Sequence, residues 1–101
     1  MLLAIDCGNT NTVFSIWDGQ SFIAHWRTST EWQRTADQYY VWLSTLMRFQ
    51  NIEADITEVI VSSTVPRVVF NLRVFADRYF NTRPLVVGKP DCLLPVPPRV
   101  D

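Results

Sequence analysis

Three short apolar runs divided by small polar residues, then two helix-period stretches each leading into another apolar run, predict an α/β chain built on one mixed sheet. The first three runs are residues 2–6, 12–17 and 21–28. The later pairs are a helix capped at residue 35 with a strand at 58–62, and a helix entered at 63–66 with a strand at 84–87. The order is β-β-β-α-β-α-β. Consecutive strands joined by short bends make an antiparallel meander, and the two α/β crossovers should be right-handed.

The first run, "LLAID", has four apolar residues without alternation, which suits a strand covered on both faces. "TVFSIW" alternates more clearly, and Asp18-Gly19 is the strongest hairpin signal in the chain. "SFIAHWRT" is the returning strand. Thr35 and Gln38 stand at the spacing of a capping box. Ala36, Tyr40, Leu43 and Met47 then recur at helical spacing as an inward stripe. After the strand "EVIVS", Ser63 and Thr64 offer hydroxyl caps to a second helix. Pro66 falls in its first turn, where a missing N–H costs nothing. Val68, Leu72, Phe75 or Ala76, and Tyr79 point inward from that helix, which ends before Pro84. Phe70 and Val74 are left over for an interface. "PLVV" is a short fifth strand closed by Gly88. Residues 89–101 hold four of the six prolines and cannot be helix. The expected division is a domain over 1–88 and an extended connector over 89–101 that leads to a missing second half.

Bulk properties narrow the functional classes. At 101 residues and 48% hydrophobic, the chain is one domain's worth of packed core. Nine Lys and Arg against ten Asp and Glu leave a net charge of −1, so neither nucleic acid nor an anionic membrane is expected as partner. No apolar run approaches a bilayer span, and Met1 leads directly into a strand with no secretory signal pattern. Cys7 and Cys92 form no CxxC pair, and the chain has one histidine, so zinc is poorly supported. Both cysteines are expected as reduced thiols in a cytoplasmic protein, a Cys7–Cys92 disulfide being the alternative. His25, mid-strand, reads as a packed or hydrogen-bonded residue, and the four tryptophans read as core and subunit-interface packing. Arg67, near the start of the second helix, is the one arginine expected to meet an anion.

The stretch Asp6-Cys7-Gly8-Asn9-Thr10-Asn11-Thr12 carries more polar groups than a bend requires. Gly8 would let a ligand approach without a Cβ in the way. The amides around Asn9 and Thr10, with the hydroxyls of Thr10 and Thr12 and the amide groups of Asn9 and Asn11, are the donors of an anion-binding nest. Asp6 would repel a phosphate unless a cation lay between, which points to Mg²⁺ held through water. Phosphate, Mg²⁺ and a carboxylate together are the equipment of phosphoryl transfer. The same residue types also build ordinary Asx and Ser/Thr turns, and spacing by itself does not separate the two readings. P-loop and dinucleotide glycine motifs are absent, since the three glycines are Gly8, Gly19 and Gly88.

"AIDCGNTNTVFSIWDG" resembles the opening of the type III pantothenate kinases, a hydrophobic strand, Asp-x-Gly-Asn-Thr and a second strand. "HWRTST", "RTADQY" and "VIVSSTVPRV" follow in the family's order, so the resemblance runs to Asp101. It implies one of the two ribonuclease H-like domains that clasp ATP in the actin, sugar kinase and Hsp70 ATPase superfamily. It makes Asp6, Cys7, Gly8, Asn9, Thr10, Asn11, Thr12 and Val13 the ATP-phosphate segment, with Asp6 the Mg²⁺-associated carboxylate. Cys7 stands where a small apolar residue is common and is expected to pack rather than react. Ser63 and Thr64 would border the pantothenate pocket. Val100 takes the place of a substrate-contacting tyrosine found in some members.

The family's base, the Asp of a Gly-x-Asp-Arg motif, is expected just beyond Asp101, together with a second phosphate motif. No catalytic base is therefore expected within this chain, which should not turn over alone. The resemblance further implies a monovalent cation (K⁺ or NH₄⁺), a homodimer, and phosphorylation of pantothenate to 4′-phosphopantothenate, the first step of coenzyme A synthesis. The alternative is a non-catalytic regulatory or partner-binding protein of the Bvg accessory factor type.

Overall fold

A computed structural model describes residues 1–87. The elements are β1 (Leu2–Cys7), β2 (Asn11–Trp17), β3 (Phe22–Ser29), α1 (Ala36–Phe49), β4 (Glu58–Ser62), α2 (Pro66–Phe80) and β5 (Leu85–Val87). The expected α/β succession is therefore present, with boundaries shifted by a residue at several strand ends. The expected connector over 89–101, with Cys92 and Val100, and the closing Gly88, lie outside the described residues.

All five strands form one mixed sheet in the order β3-β2-β1-β4-β5. β1 pairs antiparallel with β2 and parallel with β4, and β5 adds in parallel to β4. The central position of β1 explains its unbroken apolar run, because Leu3, Ala4 and Ile5 are all buried. The β2–β3 bend spans Asp18 to Ser21, and Gly19 takes a φ of 106° that a side chain would disfavour. Asp18 Oδ1 accepts from the backbone N–H groups of Gln20 and Ser21 at 2.8 and 2.9 Å. Those two bonds hold its carboxyl below the usual aspartate range.

Both helices cover the same sheet face. The ring of Phe14 on β2 lies 5.8 Å from Tyr39 and 5.1 Å from Trp42 on α1, and 6.3 Å from Phe75 on α2. Leu3, Ile5, Ile16, Val59 and Val61 complete the sheet side of this core, with Leu43, Val68, Leu72 and Ala76 on the helix side. Thr35 caps α1 as expected: its Oγ1 accepts from Gln38 N–H at 3.2 Å, and Gln38 Oε1 accepts from Thr35 N–H at 2.8 Å.

Several side chains sit differently from the sequence expectation. Tyr39 replaces Tyr40 at the centre of the α1 stripe, because α1 faces the sheet and α2 at once. Tyr40 turns to the helix–helix seam, where its ring stacks on Tyr79 at 4.0 Å between centroids. The N-cap of α2 is Val65, with no side-chain capping bond, and Pro66 lies in the first turn. Ser63 Oγ instead accepts from Val65 N–H at 3.1 Å, so the hydroxyl closes the turn before the helix. Val74 packs against the core and is not left over, whereas Phe70 is exposed. His25 is exposed on β3, not packed. Trp26 is buried, as expected of a core tryptophan, and Trp32 is exposed.

Candidate functional site

The parallel pairing of β1 and β4 brings their carboxyl ends to one sheet edge, in the register Asp6 opposite Ser62. β3 runs antiparallel to β2 and ends at the same edge, so the connections into α1 and α2 both leave from there. Open α/β sheets keep their ligands at such an edge, where helix N-termini also favour anions. The 6–13 segment and the 62–65 segment thus start from adjacent strand ends. A groove of about 730 Å³ opens elsewhere, lined by Met1, Leu43, Met47, Ile52 and Phe80 among others, and contains none of these residues.

The bend after β1 is built as a closed loop. Gly8 N–H donates to Asn11 C=O at 2.8 Å, across the Cys7–Thr12 strand pair. Gly8 does not take the left-handed backbone recorded for Gly19, so hydrogen bonds rather than an unusual φ turn the chain here. Asn9 and Thr10 form the exposed tip, and Asn11 is half-buried with its Nδ2 donating to Thr10 Oγ1 at 3.2 Å. Asp6 is half-buried between β2 and β4, opposite Val13 and Ser62.

Thr12 differs from its neighbours. It is almost fully buried, with its Oγ1 2.9 Å from Thr30 Oγ1 and 3.5 Å from Cys7 Sγ. Its side chain shapes the bend from inside. Cys7 carries a free thiol that packs against the core while touching this hydroxyl. Val13 is buried. Ser63 is buried and its backbone N–H donates to Val87 C=O at 3.1 Å, while Thr64 is exposed at the same edge.

Two residues near the loop carried no assigned role in the sequence. Thr30 Oγ1 donates to Gly8 C=O at 2.9 Å, and its N–H donates to Thr10 C=O at 2.9 Å. Arg34 Nη1 donates to Thr28 Oγ1 at 3.3 Å and to Ser29 C=O at 3.4 Å. Its guanidinium carbon lies 5.7 Å from the Tyr39 ring centre. Burial pushes the Tyr39 phenol above its ordinary range; the Cys7 thiol adds to the effect and the Arg34 cation opposes it. The missed signal was a two-residue period: Thr28 pairs with Thr12 across the sheet, and Thr30 lies two residues further along.

The donor set also bears on a metal. Among the described residues no group of three or more His, Cys, Asp or Glu could hold an ion by itself. A single carboxylate beside a loop of amides fits an ion that keeps water and ligand phosphate oxygens in most positions, which is the habit of Mg²⁺.

Comparison with known proteins shows the family. The chain is 85% identical over 101 residues to the type III pantothenate kinase of Roseobacter denitrificans, covering all of this chain and 39% of that protein. It is 79% identical to the corresponding protein of Ruegeria sp. strain TM1040, again over 39% of its length. Against that of Dinoroseobacter shibae it is 77% identical over 40% of the length. The chain thus spans about two fifths of these relatives. A family model described as type III pantothenate kinase matches residues 2–101, and the chain belongs to that family.

Proposed function

We propose that this chain is the amino-terminal, phosphate-gripping part of an enzyme that transfers the γ-phosphoryl group of ATP to pantothenate. The observation that carries the proposal is the meeting of the Asp6–Val13 loop and the Ser62–Val65 segment at one carboxyl-terminal sheet edge. The strand order β3-β2-β1-β4-β5 with both helices on one face supports a ribonuclease H-like domain of the actin-like ATPase type.

In this reading the backbone N–H groups of the loop tip, with the Asn9, Thr10 and Asn11 side chains, hold phosphate oxygens in place. Positioning of this kind, with charge stabilisation, is most of what phosphoryl transfer asks of a protein. Asp6 would hold Mg²⁺ through water, and the ion when bound supplies positive charge against the phosphates. Thr64, with Ser63 behind it, would border the pantothenate pocket. Residues 89–101 would act as the connector, with Val100 near the substrate, and the base would come from a following segment. A monovalent cation (K⁺ or NH₄⁺), a homodimer and a cytoplasmic setting belong to the proposal on the strength of the family resemblance.

The test is ATP-dependent phosphorylation of pantothenate by the full-length protein and its Asp6→Asn variant. Phosphorylation that survives in the variant would remove the metal role. A full-length protein that binds a protein partner reproducibly but phosphorylates nothing would favour the regulatory reading.

A further inference from the structure

The loop that is proposed to grip phosphate gains its shape from a residue outside it. Thr30 follows the last residue of β3 and makes three bonds to the Gly8–Thr12 bend. Its Oγ1 donates to Gly8 C=O at 2.9 Å, its N–H donates to Thr10 C=O at 2.9 Å, and Thr12 Oγ1 lies 2.9 Å from Thr30 Oγ1. A hydroxyl has one proton. With that of Thr30 committed to Gly8, the Thr12 hydroxyl donates to Thr30 at 2.9 Å in preference to the longer 3.5 Å bond to Cys7 Sγ, and the Cys7 thiol itself reaches Gly8 C=O at 3.7 Å. Thr12 and Thr30 thus form a directed chain that ends on the Gly8 carbonyl.

The direction of that carbonyl has a consequence for the ligand side of the loop. The described residues contain no cis peptide bond. In a planar trans peptide the C=O and the following N–H point opposite ways. Holding Gly8 C=O toward β3 therefore turns Asn9 N–H away from β3, and holding Thr10 C=O there does the same for Asn11 N–H. A loop free to rotate these peptides would present carbonyl oxygens to an anion in some of its conformations, which repel it.

We propose that Thr30 is a positioning residue for nucleotide binding: by anchoring the Gly8 and Thr10 carbonyls to β3, it fixes the loop's amide hydrogens toward the phosphates of ATP. The inference rests on the phosphate-loop reading above. Thr30 need not touch the nucleotide. Its hydroxyl is the essential part, since the backbone N–H survives any substitution except proline and the methyl group makes none of these bonds.

The experiment uses the full-length enzyme with Thr30→Val, which keeps the shape and removes the hydroxyl, and Thr30→Ser, which keeps the hydroxyl and removes the methyl. Steady-state kinetics should give a KM for ATP raised roughly tenfold in Thr30→Val, which loses the two part-buried hydrogen bonds of the Thr30 hydroxyl, with the KM for pantothenate little changed. Thr30→Ser should restore most of the ATP affinity. Amide NMR of residues 8–12 during titration with ATP and Mg²⁺ supplies the second readout. Shifts should be seen in the wild-type protein and in Thr30→Ser and be much reduced in Thr30→Val.

Wild-type loop shifts with an unchanged ATP KM in Thr30→Val overturn the role of Thr30 and leave the phosphate loop standing. Equal impairment of Thr30→Ser and Thr30→Val also overturns it, by assigning the effect to packing. Absence of loop shifts in the wild-type protein overturns the phosphate-loop reading and this inference together. Should Thr30→Val not fold, the serine variant decides: retained ATP affinity supports the hydroxyl, and lost affinity refutes it.

Discussion

Asp6 and Cys7 are consecutive on β1 and project to opposite sides of the sheet, which is why two neighbouring residues serve different purposes. Cys7 meets the helix-covered core and the Thr12 hydroxyl, whereas Asp6 occupies the face shared with Ser62. On the proposed function, Asp6→Asn in the full-length enzyme should lower kcat/KM for phosphorylation on the order of 10²-fold, because the amide cannot neutralise a metal's charge. Circular dichroism of the variant should match the parent, separating lost chemistry from lost fold. At the other end of the α1 connection, Thr35 satisfies one orphan helix donor and Gln38 returns the bond. Replacing Thr35 by Ala should cost about 1 kcal/mol, read as a shift of the urea midpoint at constant slope.

α1 and α2 are held together by a seam that combines stacking with an exposed ionic clip. Tyr40 and Tyr79 stack with their planes 2° apart. Asp37 Oδ1 accepts from Tyr79 Oη and from Arg78 Nη1, the latter at 2.8 Å. The Tyr79 hydrogen bond first, and the Arg78 partner after it, hold the Asp37 carboxyl below its ordinary range. A carboxyl depressed on folding contributes stability that is present above its unfolded value and is lost as pH falls through the folded value. Thermal melts of the parent and Asp37→Asn should therefore differ near neutrality and converge in strong acid. High salt should narrow the gap, since the pair is open to solvent. A gap that persists unchanged in acid would show that the clip acts through packing alone.

For the whole molecule, the core is one cluster in which Phe75 touches nearly every layer. Its ring lies 6.3 Å from Phe14 on the sheet, 6.0 Å from Tyr39 on α1 and 5.3 Å from Phe80 on its own helix. It is fully buried, so Phe75→Ala should cost roughly 3–5 kcal/mol, a large share of what a domain of this size has to lose. Denaturant titration would show it as a much lower midpoint. Hydrogen exchange should be slower in β2, β1 and β4, each with a paired strand on both sides, than in β3 and β5, which close the two edges among the described residues.

Element order, the Thr35 cap, the Asp18-Gly19 bend and the polar character of the 6–12 segment were all legible in the linear chain. Each depends on neighbours only a few positions apart, through period, capping distance or turn chemistry. What folding alone settled involves contacts between distant segments. Tyr39 rather than Tyr40 took the centre of α1 because two layers meet that helix at once. Thr12 turned inward because Thr30, just past the end of β3, supplied its partner, and Val74 found core contacts that its own helix could not reveal. Local hydrogen bonding and periodicity are written along the backbone, whereas the direction of a side chain is fixed by whichever surface the sheet register brings against it.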